Sequence, residues 1–183
     1  MNSYKSALVQ LKRNKISIKD EIVKNALKIK PNYICIVPEN RKEITTEGGL
    51  NLKKNKNRIK KILNIFKKNN IRTSLFINPS LNDVLLAKEL GTECIEIHTG
   101  KFANLVKSKR NINNELLRIK KSCKIANDND IEVHAGHGLD YKSTKILSKI
   151  KEIKEFNIGH FIIGESIFFG IKPVIKKFKK IIR

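Results

Sequence analysis

The chain has 183 residues, of which 40% are hydrophobic and 31% charged, and its formal net charge is +22. That length is one domain's worth and enough for a hydrophobic core, and the composition excludes a disordered chain. No apolar run is long enough to span a membrane and none follows Met1 in the manner of a secretory signal, so a cytoplasmic protein with no membrane partner is expected.

The charge does not by itself point to nucleic acid. Only seven of the 39 basic residues are Arg, aromatic residues make up 6%, and Trp is absent. Nucleic-acid readers rely on Arg forks and aromatic stacking, whereas Lys here is spread along every helical stretch. A solvated Lys surface whose field attracts small phosphorylated molecules is the expectation, with no specific nucleic-acid partner. Cys35, Cys94 and Cys123 each sit inside an apolar run and read as buried thiols, not as a disulfide framework or a zinc site.

In chain order, a short strand is expected around residues 16–18, then a strand over Tyr33–Val37. Pro38-Glu39-Asn40-Arg41 leads to Thr45-Thr46-Glu47-Gly48-Gly49, which reads either as a loop closing over a ligand or as a helix cap with its turn. Lys53–Arg58 is a charge run on a solvated helix face. Ile59, Ile62, Leu63 and Phe66 follow at helical spacing, and Thr73–Ile77 is the next strand. Asn78-Pro79-Ser80 signals a helix start, with Leu81–Leu90 as its body and Gly91 as its stop. Cys94–His98 is a strand. Ile112, Leu116, Ile119 and Cys123 mark a helix, and Ile131–Ala135 is a strand ending in Gly136-His137-Gly138. Leu147, Ile150 and Ile153 mark another helix, Phe156–Gly159 the last strand, and Phe161–Gly164 a short helix. Ile171, Val174, Ile175, Phe178 and Ile182 line a terminal helix.

Strands alternating with helices mean a parallel sheet with right-handed crossovers, in one domain over 1–183. The choice lies between an open doubly wound sheet and a (β/α) barrel. No Gly-x-Gly-x-x-Gly turn follows any strand, which removes the main support for a dinucleotide fold. In Cys94–His98, Ile95 and Ile97 alternate with Cys94, Glu96 and His98, as expected where helices cover one face and a barrel interior takes the other. A barrel is favoured, although eight strands take about 250 residues and five or six are counted here.

Three strand ends carry chemistry. His137 lies between two glycines, which allow close backbone approach, and an imidazole there can exchange a proton near neutral pH. The plain alternative is a turn histidine, and His134-x-x-His137 lacks a third ligand at metal spacing. Glu96 is flanked by isoleucines and directed inward, where a carboxylate either transfers a proton or pairs with a cation. Gly159-His160 precedes a helix start, and free amides at such a start bind phosphate; the alternative is an ordinary strand-to-helix turn.

Five segments together resemble the pyridoxine 5'-phosphate synthase family: residues 36–50 (IVPENRKEITTEGGL), 74–77 (SLFI), 95–100 (IEIHTG), 135–139 (AGHGL) and 157–160 (NIGH). Their order and spacing agree from about Asn14 to the C-terminus. The resemblance implies a (β/α)8 TIM-type barrel, commonly a homo-octamer, with no metal or organic cofactor. It implies condensation of 1-deoxy-D-xylulose 5-phosphate with 3-amino-2-oxopropyl phosphate, releasing phosphate and water. His137 would donate a proton and Glu96 would stabilise the transition state. Thr45 would contact the deoxyxylulose phosphate, while Gly138, Gly159 and His160 would hold the amino-oxopropyl phosphate.

The chain departs from the family at its front. The family's first two βα units, with their Asn-x-Asp-His cluster, have no counterpart, and Lys15 stands where the family has a glutamate base. An incomplete barrel is therefore expected. Three functions follow from this: the synthase, incomplete as written; a non-catalytic remnant that binds a phosphorylated ligand; or, from another class, a basic nucleic-acid-binding protein.

Overall fold

The computed structural model describes residues 14–38 and 48–182. Six strands form one parallel sheet in sequence order: β1 (Asn14–Ile16), β2 (Tyr33–Ile36), β3 (Arg72–Ile77), β4 (Cys94–His98), β5 (Glu132–Gly136) and β6 (Ile153–Asn157). The helices between and after them are α1 (Asp20–Ile29), α2 (Lys56–Lys68), α3 (Leu81–Leu90), α4 (Gly100–Lys107), α5 (Asn113–Asp128), α6 (Tyr141–Leu147), α7 (His160–Phe169) and α8 (Ile171–Ile182). This is the (β/α) barrel type with six of the eight strands that closure takes, and β1 and β6 form its two edges among the described residues.

Helix boundaries follow local chemistry. Ser80 Oγ accepts the Asp83 N–H to start α3, and Gly91, at φ +79°, ends it. Asp140 and Ser143 cap α6 reciprocally, each side chain accepting from the other's backbone N–H. On α2, the four residues at helical spacing, Ile59, Ile62, Leu63 and Phe66, are the buried ones. Fully burying a side chain such as Phe66 contributes about 2–3 kcal/mol.

The alternation on β4 sorts the molecule into two environments. Ile95 and Ile97 join Ile34, Leu75 and Ala135 in the core between sheet and helices. The opposite face of the sheet carries a separate apolar cluster, Cys35, Val37 and Phe76, together with the polar groups of the interior. Those polar groups are layered along the strands. Near the amino ends Tyr33 and His134 meet Cys94, in the middle Lys15, Cys35 and Asn157 meet Glu96, and at the carboxyl ends Phe76 and His137 meet His98.

Several features differ from the sequence reading: α1 and α4 were not read from it, and residues 53–55 precede α2 rather than lying on its face. The first strand is Asn14–Ile16, earlier than expected, and Ile18 is buried beyond its end. Ile153 opens β6 and does not extend a helix, because α6 ends at Leu147 and the turn after it buries Ile150. Apolar residues three apart satisfy a helix end, a turn and a strand start equally well, so their period could not separate these. The segment after Gly159 is a ten-residue helix, longer than the expected four. Among the described residues no helix is long and apolar enough to cross a membrane.

Candidate active site

The carboxyl ends of β4, β5 and β6 converge on one cavity of about 810 Å³, lined among others by Lys15, His137, Gly138, Asn157, Gly159 and His160. Thr99, just after β4, ties two of these ends together. Its N–H donates to the Gly136 carbonyl, and its hydroxyl is shared between the carbonyls of Gly136 and His137 at 2.8 Å each.

His137 has φ +84°, and Gly138 follows at φ +74°. Glycine takes that conformation without steric cost, but for a histidine it is a strained state that the surroundings must enforce. The enforcement is visible. The His137 ring stacks on His98 at 5.0 Å between centroids, and Phe76 packs edge-on against His98 at 5.2 Å. Gly100 permits the stack, since a Cβ there would lie 2.9 Å from His137 Cδ2 and 3.0 Å from His98 Nε2. Burial, and after it the positive charge of Lys15, hold the His137 pKa below its usual value, against the opposing pull of Glu96. Both causes favour the neutral imidazole, the form that can accept a proton.

Glu96 lies beneath the cavity, with its side chain 1% exposed. Lys15 Nζ donates to its Oε1 at 2.8 Å, Asn157 Nδ2 to its Oε2 at 2.9 Å, and Cys35 Sγ to Oε2 at 3.4 Å. Glu96 thus reaches the cavity through Lys15 and Asn157. Asn157 Oδ1 is buried and has no hydrogen-bond partner among the described residues, an acceptor beside the cavity that a ligand's N–H or O–H would satisfy.

Gly159 is the N-cap of α7 and His160 its first residue, so the opening amides of α7 border the cavity. Gly159 has φ −108°, and among the described residues nothing lies within 4 Å of where a Cβ would stand. Free amides and the positive end of the helix dipole suit an anion.

His137, Gly138, Gly159 and His160 are therefore brought together, with Glu96 immediately behind them. Thr45 lies outside the described residues. Gly49, at the end of the same motif, is pinned to β3: its N–H donates to Asn78 Oδ1 at 2.9 Å, and a Cβ would stand 2.4 Å from Asn78 N. Asn157 was not singled out as a site residue from the sequence, where it is an ordinary strand residue, and Lys15 was marked there only as standing in place of the family's glutamate base.

A second polar cluster occupies the amino ends of the strands. Ligand atoms of Cys94, Glu132 and His134 lie within 4.8 Å of one another. His134 Nε2 is 2.7 Å from Glu132 Oε1, Tyr33 OH is 3.0 Å from Cys94 Sγ, and Arg72 pairs with Glu132 at 3.0 Å. Burial opposes a charge on His134, but hydrogen bonds with Cys94 and Glu132 outweigh it and raise its pKa to about 9.

The family described as Pyridoxal phosphate biosynthesis protein PdxJ matches residues 7–183. The chain belongs to the PdxJ family. A pyridoxine 5'-phosphate synthase of Pelagibacter ubique (strain HTCC1062) is 61% identical over 166 residues, covering 91% of this chain and 70% of that protein. The namesake from Campylobacter fetus subsp. fetus (strain 82-40) is 39% identical, covering 91% and 73%. Among solved structures, the citrate synthase SbnG superposes with TM-score 0.53 at 10% identity, covering 92% of this chain and 72% of that one. The YdjI aldolase from Escherichia coli K12 superposes with TM-score 0.54 at 13% identity, covering 92% and 63%. These two likenesses concern the fold alone.

Proposed function

We propose that this chain is a pyridoxine 5'-phosphate synthase, condensing 1-deoxy-D-xylulose 5-phosphate with 3-amino-2-oxopropyl phosphate to pyridoxine 5'-phosphate without metal or organic cofactor. The observation that carries the reading is the shared cavity: the imidazole of His137 lines the same space as the amides that open α7. Gly138, Gly159 and His160 hold the phosphate of the amino-oxopropyl substrate, and Asn157 Oδ1 accepts a hydrogen bond from it. Thr45 contacts the deoxyxylulose phosphate. His137 moves the proton, and Glu96, oriented by its donors, stabilises positive charge that develops above it. The chain works as one (β/α) unit in the cytoplasm, as part of a homo-oligomer.

Purified chain supplied with both substrates releases inorganic phosphate, and His137→Ala abolishes the release. Gly159→Ala separates ligand approach from folding: unfolding midpoints stay unchanged while affinity for the phosphate ester falls. Wild-type affinity in Gly159→Ala would remove α7 from the site.

One observation favours a second reading, a phosphate-ester binder without turnover. Lys15 occupies the interior position at which the family resemblance leads one to expect a glutamate base, and it is engaged with Glu96. Ester binding with no phosphate release would establish that reading.

A further inference from the structure

Among the described residues lining the cavity, Lys15 is the sole lysine. Its side chain is 31% exposed, and its Nζ lies 2.8 Å from Glu96 Oε1 and 5.1 Å from the centroid of the Phe76 ring. Asn157 and Cys35 hold the other carboxylate oxygen, so Glu96 presents Oε1 to the lysine in a fixed orientation. An amine at the wall of an anion-binding cavity, with a rigid carboxylate at hydrogen-bond distance beneath it, has the parts for condensation with a carbonyl.

We propose that Lys15 is a carbonyl-trapping nucleophile, condensing with the ketone carbon of a phosphorylated ketone whose phosphate rests on the opening amides of α7. This rests on the reading of that cradle as a phosphate-ester site. The lysine ammonium first passes one proton to Glu96. The free amine attacks the carbonyl carbon: the N–C bond forms, the C–O π bond breaks, and the oxygen takes the proton from Glu96. The new ammonium returns a proton to Glu96, which delivers it to the hydroxyl, and the C–O bond breaks with loss of water. Ammonium and ketone have then become iminium and water, Glu96 is again a carboxylate, and no oxidant or reductant is consumed. The iminium withdraws electrons from the adjacent carbon, whose proton His137 is placed to accept across the same cavity.

Trapping tests this without requiring turnover. The full chain is incubated with dihydroxyacetone phosphate and sodium cyanoborohydride, then analysed by intact mass and peptide mapping, while binding of the same ester is measured separately by calorimetry. The expected result is one reduced adduct per chain on the peptide carrying Lys15. It should form about tenfold or more faster than on any other lysine, because the phosphate contact raises the local concentration of the ketone. Excess inorganic phosphate should suppress it. Lys15→Arg keeps a cation opposite Glu96 but no nucleophile, and should bind the ester without labelling. Ester binding with no adduct, or adducts spread over surface lysines and unchanged in Lys15→Arg, overturns the imine and leaves the phosphate-ester site standing. Absence of ester binding overturns both.

Discussion

Gly136 and Glu96 are fitted so closely that a Cβ on Gly136 would stand 2.4 Å from Glu96 Oε1, and within 3.0 Å of the Asn157 backbone oxygen. Neither neighbour yields easily, since the carboxylate is held by Lys15 and Asn157, and the oxygen belongs to the adjoining strand. Gly136→Ala is therefore expected to destabilise the chain by about 1–3 kcal/mol, the usual cost of overpacking, and to weaken ester binding by displacing Glu96. Urea unfolding and calorimetry of the same variant read the two effects. A wild-type midpoint with wild-type affinity would contradict the packing described.

His137 raises a different issue, because its left-handed backbone costs stability that its chemistry needs. His137→Gly removes that strain and is expected to stabilise the fold by about 1 kcal/mol or to leave it level, while abolishing phosphate release. The ring's stacking on His98 offsets part of the gain. A marked loss of stability would mean that the stack, and not the function, accounts for the histidine.

The pH dependence of stability should reflect His134. Its pKa is raised from 6.5 to about 9 in the folded chain, so folding favours the protonated form. That contribution is complete below pH 6.5 and is lost as pH rises through about 9, with an upper bound of about 3 kcal/mol. Cys35 and Tyr33 stay protonated through this window, because burial raises both pKa values. Urea midpoints between pH 6 and pH 9.5 should fall for the wild type and flatten in His134→Gln. Equal slopes in the two proteins would assign the dependence to other groups.

Helix α7 is apolar on nearly every side, yet Ile167 is 77% exposed and Phe168 81% exposed in the isolated chain. Such a surface binds apolar probes and promotes association. Phe168→Ser is expected to change stability by less than about 0.5 kcal/mol while lowering the fluorescence of a bound anilinonaphthalene dye and the tendency to aggregate. A loss of several kcal/mol would show that Phe168 is packed in solution.

The barrel type was legible in the sequence because period-two alternation within Cys94–His98, and helical spacing in Ile59–Phe66, each admit one local structure. Strand ends were legible too, since His137, Gly138, Gly159 and His160 sit where polar and glycine residues interrupt apolar runs. Ile153 was misplaced because three-residue spacing is shared by a helix face and by a capped helix followed by a turn. Asn157 carried no signal of its own, because an Asn ending a strand is commonplace, and in a chain rich in Lys only the family resemblance, which set it in place of a glutamate base, marked Lys15.

Local pattern thus determined most strands and helices and which side of Cys94–His98 is apolar, because these depend on neighbours a few residues apart. Which polar groups meet inside the sheet was decided only by tertiary structure. Lys15, Glu96 and Asn157 are separated by 81 and 61 residues. They come together because parallel pairing sets the register of strands far apart in the chain, and because a carboxylate withdrawn from water must find its donors there.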